Sequence, residues 1–403
     1  MKSKTEARAI FKSLSGKSPN ELFGGLPTPC YIIDEGALRL NGEILLSVIR
    51  NTGCKILLAQ KAFSNYDFYP LLSQYLSGTE ASGLHEARLG REKMPAGEVH
   101  VFCGAYRDDE FEELLGYADH IVFNSPRQLQ RYGKTAKEQG KSIGLRINPE
   151  YSTQDGHEIY DPCAPGSRLG TARSIWDKQM TTDLVALLDG LHFHTLCEQD
   201  SDALEVTLQA VEEKFGDVLP KMKWLNMGGG HHITKEGYDI PRLEKWITYA
   251  QDKWQLQVYL EPGEAVALNA GYLACRVLDV VENCGTKIAI LDTSAACHMP
   301  DVIEMPYKPP LYGADFECAG DNRFRLGGPS CLSGDVVGDY SFSTLLREGD
   351  LLLFGDMAIY TTCKNNTFNG MPLPNIWRRS QSGQLDKLTN FGYEDFTMRL
   401  GKK

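Results

Sequence analysis

Short apolar runs recur along the first two-thirds of the chain, each stopping at a polar or small residue: 56–60 (ILLAQ), 78–82 (GTEAS), 99–103 (VHVFC), 120–124 (HIVFN), 143–148 (IGLRIN), 191–194 (LHFH), 224–227 (WLNM) and 258–261 (VYLE). Runs of this length predict buried strands, and stretches between them, such as 203–215, carry helical periodicity. Eight alternating strand and helix units predict a parallel (β/α)8 barrel of the TIM type, which places its chemistry at the carboxyl ends of the strands. Lys61, Glu80, Arg146, His194, Gly228, Gly229, Gly230 and Glu261 all fall at such ends, so one shared pocket is the simplest expectation.

Beyond Glu261 the texture changes to strand-like runs with no long helix between them: LACRVLDVVE, KIAILDTSA, GDVVGDYSF and DLLLFGDMAIY. Short strands separated by turn residues predict a β domain, a sandwich or a barrel. The expected class is α/β plus β, with the barrel over residues 36–265 and the β domain built from 1–35 and 266–403. Residues 1 to about 20 are polar and read as a mobile or helical extension, and LPTPCYIID then reads as an extended segment entering a strand. The stretch 297–316, with four prolines among charged and aromatic residues, predicts a long loop.

A chain of 403 residues suits a barrel plus a smaller domain. Its net charge of -11 and pI near 5.4 argue against nucleic acid and anionic membrane and are compatible with a cationic ligand. The opening MKSKTEARAIFK has no apolar signal core, and no run approaches the roughly 18–20 apolar residues of a membrane span, so a soluble, unexported, cytoplasmic protein is expected. The eleven cysteines are scattered, with no CxxC and no Cys/His cluster; they read as reduced, mostly buried thiols, Cys331 excepted.

Lys61 directly follows an apolar strand, where partial desolvation suits a lysine that forms a Schiff base with an aldehyde; a surface lysine is the plain alternative. Three glycines at 228–230 let backbone N–H groups approach a phosphate closely, or simply make a tight turn. Glu261 is costly to bury unless paired, either with a protonated pyridine nitrogen or with a neighbour such as Arg146. His194 can stack on a flat ring, whereas His192, on the same strand face, reads as a core residue with a satisfied N–H. His231 and His232 raise a metal reading but lack the one-face spacing of HExxH, and no metal is expected. An aldehyde-binding lysine, phosphate-binding glycines, a carboxylate for a ring nitrogen and a histidine for a ring face together match the needs of pyridoxal 5'-phosphate.

LLAQKAF, LRIN, HFH, NMGGG, EPGE, GPSCLSGD and DMAIYTTCKNNTFNG, in this order over nearly the whole chain, resemble the alanine racemase-fold (fold type III) pyridoxal phosphate decarboxylases. That family includes ornithine, arginine and diaminopimelate decarboxylases, and the chain is most similar to its carboxynorspermidine (carboxyspermidine) branch. The resemblance implies that Lys61 binds the cofactor aldehyde, His194 stacks on its ring, Glu261 pairs with the ring nitrogen, and Arg146 and Glu80 lie close by. It also implies that Gly228, Gly229, Gly230 and Tyr360 hold the phosphate. Cys331 resembles the cysteine that protonates the carbanion carbon from the partner subunit, with Asp335 beside it, which implies a homodimer with shared active sites.

The chain departs from its better-known relatives in two places. Their EPGR is EPGE here, so Glu264 replaces a cation, and the acidic residue that usually follows the cysteine is Leu332. A second substrate carboxylate, as in diaminopimelate, needs cationic partners, so the change favours a cationic substrate: an α-amino acid extended by a polyamine arm. Glu264, Asp301 and Asp335 are the candidates to meet its ammonium groups, with Asp292 and Glu304 behind them; each is otherwise a solvated or loop-capping acid. One methylene in the arm is worth only about 1 to 3 kcal/mol, so carboxynorspermidine and carboxyspermidine are not separated. Other readings are decarboxylation of ornithine or diaminopimelate, a non-catalytic binding protein on the same fold, and a metal-dependent barrel hydrolase.

Overall fold

The structure, a computed structural model, describes residues 10–11, 14–154, 161–315, 318 and 320–402. It divides into two compact units: Arg39–Val266, and the described parts of Met1–Leu38 with those of Ala267–Lys403.

Strand β1 (Cys30–Asp34) belongs to the second of these units. The eight apolar runs become β2 (Lys55–Ala59), β3 (Gly78–Ala81), β4 (Glu98–Phe102), β5 (His120–Phe123), β6 (Ser142–Asn148), β8 (Gly190–His192), β9 (Trp224–Asn226) and β10 (Gln257–Leu260), with β7 (Thr171–Ala172) a short addition to β6. All pair in parallel in the order β5-β4-β3-β2-β10-β9-β8-β6, and β5 with β6 closes the barrel. Helices return the chain between strands and begin where side chains can cap them. Ser125 accepts the Gln128 N–H ahead of Pro126–Glu138, and Asp239 accepts the Arg242 N–H ahead of Ile240–Trp254, each with proline at the helix start.

The barrel interior is packed at the amino ends of its strands. Trp224, the first residue of β9, is admitted by two glycines: a Cβ on Gly144 would stand 2.3 Å, and one on Gly190 2.0 Å, from its ring. Its Nε1 donates to Ser142 Oγ at 2.8 Å, and Leu57, Val122 and Tyr259 complete the cluster.

The second unit is a mixed sheet in the order β13-β15-β14-β12-β11-β1-β17-β18. Its strands are β11 (Gly271–Asn283), β12 (Thr286–Leu291), β13 (Ala314–Asp315), β14 (Asn322–Gly327), β15 (Val336–Phe342), β16 (Leu351–Gly355), which also pairs with β11, β17 (Asn375–Arg379) and β18 (Leu385–Lys387). β1 sits between two strands from much later in the chain, with Ile32 opposite Tyr272 of β11 and Trp377 of β17.

Two expectations change. The first twenty residues lie partly outside the described residues, but Ile10 and Leu14 are both buried, and Ser18 forms a capping box with Glu21. The expected loop over 297–316, whose last residue is not described, contains helical turns at Ala295–His298, capped by Ser294, and at Asp301–Glu304. Among the described residues no helix is long and apolar enough to cross a membrane.

Candidate active site

A cavity of about 200 Å³ lies at the carboxyl ends of the barrel strands, lined among others by Lys61, Glu80, Arg146, His192, His194 and Glu261. It exceeds the roughly 150 Å³ cavity that takes up benzene, so a six-membered ring fits. Just past β2, Gln60 turns inward, its N–H donating to the Glu80 carbonyl at 3.1 Å and its amide to the Glu86 carbonyl at 2.9 Å, and the next residue, Lys61, is exposed.

Two carboxylates face this space from different strands. Burial raises the Glu80 carboxyl well above its usual range, the charge of Glu261 adds to the rise, and Lys61 opposes it. Burial alone would raise Glu261 too, but His192 and the amide of Asn226 prevail and hold it below its usual value. His192 Nε2 lies 3.1 Å from Glu261 Oε2, and Asn226 Nδ2 donates to Oε1. His192 is thus a buried residue with one ring N–H satisfied, and it lines the cavity as well; Arg146 is not the hydrogen-bond partner of Glu261.

Arg146, from β6, donates to the His194 carbonyl at 3.0 Å and stacks over the Phe102 ring at 4.6 Å. Burial lowers its guanidinium to about 10, which leaves it charged at neutral pH. His194 is pushed well below its usual value by burial and then by Lys61 and Arg146, so its ring is neutral; its Nδ1 accepts the Gly229 N–H at 3.4 Å.

The glycine turn packs against the neighbouring strand ends. A Cβ on Gly228, Gly229 or Gly230 would fall 2.4, 2.4 or 2.0 Å from the carbonyl oxygens of Phe193, Glu261 and Leu196 respectively. Gly228 and Gly230 have φ of +70° and +81°, so close approach and backbone conformation both demand glycine. His231 and His232 do not converge on one ligand: His231 reaches the Met227 carbonyl at 3.3 Å, and His232 pairs with Glu264 at 3.1 Å. Glu198 brings a second carboxylate to that pair, the donor atoms of the three lying within 4.8 Å of one another.

The remaining candidates belong to the sheet unit. Tyr360 has φ +58° immediately before the helix Thr361–Lys364. Cys331 is exposed, and its N–H donates to Asn369 Oδ1 at 2.8 Å. Asp335 is buried, accepting from Ser330 Oγ at 2.6 Å and Ala296 N at 3.2 Å, and so braces the turn that carries Cys331. Asp292 accepts the Arg276 N–H at 2.8 Å, while Asp301 and Glu304 both pair with Lys364. Asn226 escaped the sequence reading; its place at the end of the strand WLN, two positions before the first glycine, was the available signal.

The cavity wall itself fits pyridoxal phosphate. A buried carboxylate kept ionised, a neutral imidazole and a buried cation line the cavity with an amine at hand, and the glycine turn packs against His194 and Glu261 of its wall. The family model described as the pyridoxal-dependent decarboxylase, C-terminal sheet domain, matches residues 30–358. The chain belongs to the pyridoxal-dependent decarboxylases.

It is 42% identical over 385 residues to the carboxynorspermidine/carboxyspermidine decarboxylase of Campylobacter jejuni, covering 93% of this chain and 98% of that one. It is 41% identical over 383 residues to the carboxyaminopropylagmatine decarboxylase of Synechocystis sp., covering 95% and 97%. The crystal structure of carboxynorspermidine decarboxylase complexed with norspermidine from Campylobacter jejuni superposes with a TM-score of 0.85 at 40% identity, covering 93% of this chain and all of that one. This pyridoxal-dependent decarboxylase is thus a carboxy-lyase with a (β/α)8 barrel and a separate mixed sheet.

Proposed function

We propose that this decarboxylase acts on carboxynorspermidine or carboxyspermidine and releases norspermidine or spermidine in polyamine biosynthesis. The observation that carries the chemistry is Glu261, buried yet held ionised on the wall of the cavity that Lys61 enters. The near full-length similarity to the Campylobacter jejuni enzyme supports the substrate.

Bound in this cavity, pyridoxal phosphate supplies an aldehyde for amines and a protonated ring that accepts the electron pair left when carbon dioxide departs. Lys61 would provide the amine that anchors the cofactor and that, on returning to it, frees the product amine. Glu261 holds the proton at the ring nitrogen, His194 presents a neutral ring face, and Arg146 adds a fixed positive charge. Glu80, biased toward its protonated form on the same cavity wall, would supply a proton there. The turn of Gly228, Gly229 and Gly230 takes the phosphate, with Tyr360 contributing. The partner subunit's Cys331 returns a proton to the substrate carbon in a cytoplasmic homodimer. Among the acids, Glu264 is the foremost candidate to meet substrate ammonium groups, with Asp301 and Glu304, which share Lys364, behind it; Asp335 and Asp292 already accept the backbone N–H groups of Ala296 and Arg276.

The Synechocystis relative favours a second reading, decarboxylation of carboxyaminopropylagmatine. The test is carbon dioxide release by holoenzyme from carboxynorspermidine, carboxyspermidine, carboxyaminopropylagmatine, ornithine and diaminopimelate, with Lys61→Ala alongside. Turnover of the first two, abolished in the variant, supports the proposal. Preference for the third establishes the second reading, turnover of the last two alone overturns both, and no turnover points to a binding protein.

A further inference from the structure

Asn226, the last residue of β9, uses both ends of its amide. Its Oδ1 accepts the Gly228 N–H at 2.9 Å and its Nδ2 donates to Glu261 Oε1. The reverse orientation would set the amide oxygen against a carboxylate and the NH2 group against an N–H, so the network admits one orientation only. The other oxygen of Glu261 faces His192 Nε2 at 3.1 Å. A carboxylate can only accept, so that nitrogen carries a hydrogen. Burial keeps His192 below its usual value despite the pull of Glu261, which leaves a neutral imidazole. Asn226 and His192 are both almost wholly buried.

Two uncharged donors therefore grip an ionised carboxylate. A lysine or arginine in either place would form an ion pair and cancel its charge, whereas amide and imidazole N–H groups align it and favour its ionised form while leaving the charge for a third partner. Arg146, the buried cation of the same cavity, is directed to the His194 carbonyl and the Phe102 ring instead.

From this arrangement we infer that Asn226 and His192 are positioning residues for the cofactor ring nitrogen. They hold Glu261 ionised without neutralising it, and Asn226 ties that carboxylate to the glycine turn. The inference rests on the pairing of Glu261 with the ring nitrogen proposed above.

The test reconstitutes the full-length enzyme with pyridoxal phosphate or with 1-deazapyridoxal phosphate, which has no ring nitrogen. Asn226→Asp keeps the size and the acceptor for Gly228 but replaces the donor to Glu261 with a second acceptor. With pyridoxal phosphate, kcat for carboxynorspermidine should fall by about 10- to 100-fold and KM should change by less than about threefold. The cofactor Kd from equilibrium dialysis should rise about tenfold or more for pyridoxal phosphate and stay nearly unchanged for the deaza analogue. His192→Leu should repeat the pattern, and His192→Gln, which returns an N–H donor, should recover most of the loss; this pair decides alone if the Asn226 variant does not fold. Equal losses with both cofactors, or no recovery in His192→Gln, overturn the inference. If Glu261→Gln itself fails to distinguish the two cofactors, the pairing of Glu261 with the ring nitrogen falls instead.

Discussion

Glu80 and Glu261 line one cavity, and their carboxyls are driven in opposite directions. Burial and the charge of Glu261 raise Glu80, while His192 and Asn226 lower Glu261 against the same burial. Environments that push two neighbouring acids apart assign them different work, one holding a proton and the other a charge. The difference cannot be read from residue type, since both are glutamates at strand ends.

Glu80 also carries a stability consequence. A carboxyl raised in the folded state binds more protons than in the unfolded chain, so it erodes stability as pH rises above the ordinary glutamate range. Glu80→Gln keeps the shape of the protonated form and removes that erosion. Cofactor-free Glu80→Gln should melt higher than wild type at pH 8, by about 2–4 °C per kcal/mol recovered, with the gap closing toward pH 4.5. A Tm gap independent of pH would refute the assignment.

At the amino end of the barrel the signs favour acid lability. Burial would raise Glu98, but hydrogen bonds from His100 and Lys55 hold it at about 2, while burial and the charge of His100 lower His120 from 6.5 to about 3. Both groups bind fewer protons folded than unfolded, so stability is lost as pH falls, through His120 below about 6.5 and through Glu98 below about 4.5. Urea unfolding of wild type and Glu98→Gln across this range should show a shallower decline in the variant below pH 4.5. At pH 7 the variant should be weaker by about 1.5–3 kcal/mol, the value of a hydrogen bond to a charged group.

Substrate recognition should separate Glu264 from Asp301. Glu264 pairs with His232, whereas Asp301 shares Lys364 with Glu304 and is already largely compensated. Glu264→Gln should raise KM for carboxynorspermidine about tenfold with a smaller change in kcat, and Asp301→Asn should change KM by less than about threefold. An unchanged Michaelis constant in Glu264→Gln would remove that residue from the substrate site, and a rise of about tenfold in Asp301→Asn would mean that Lys364 does not occupy Asp301.

Packing around Trp224 gives a paired test. Gly190→Ala would place a Cβ 2.0 Å from the indole and should cost about 1–3 kcal/mol as overpacking. Gly116, exposed near the end of the helix Asp108–Tyr117 with nothing within 4 Å of a new Cβ, should gain about 0.5–1 kcal/mol on change to alanine. Thermal melts that do not move in opposite directions would contradict the close packing.

Local pattern sufficed for the eight barrel strands, because each apolar run is a property of its own few residues and burial on both faces of a parallel strand leaves a continuous signature. Strand direction then placed Lys61, Glu80, Arg146, His194 and Glu261 at one end of the barrel. The pairing of β1 with β17 was beyond that reach, since Asp34 and Arg379, joined by a 2.7 Å ion pair, are 345 positions apart. So were the partners of Glu261, 35 and 69 positions away, and the opposite protonation biases of Glu80 and Glu261. Periodicity follows from the chain's own geometry, whereas the state of a buried polar group is set by whatever stands within a few ångströms of it through space, and only the closed barrel decides what that is.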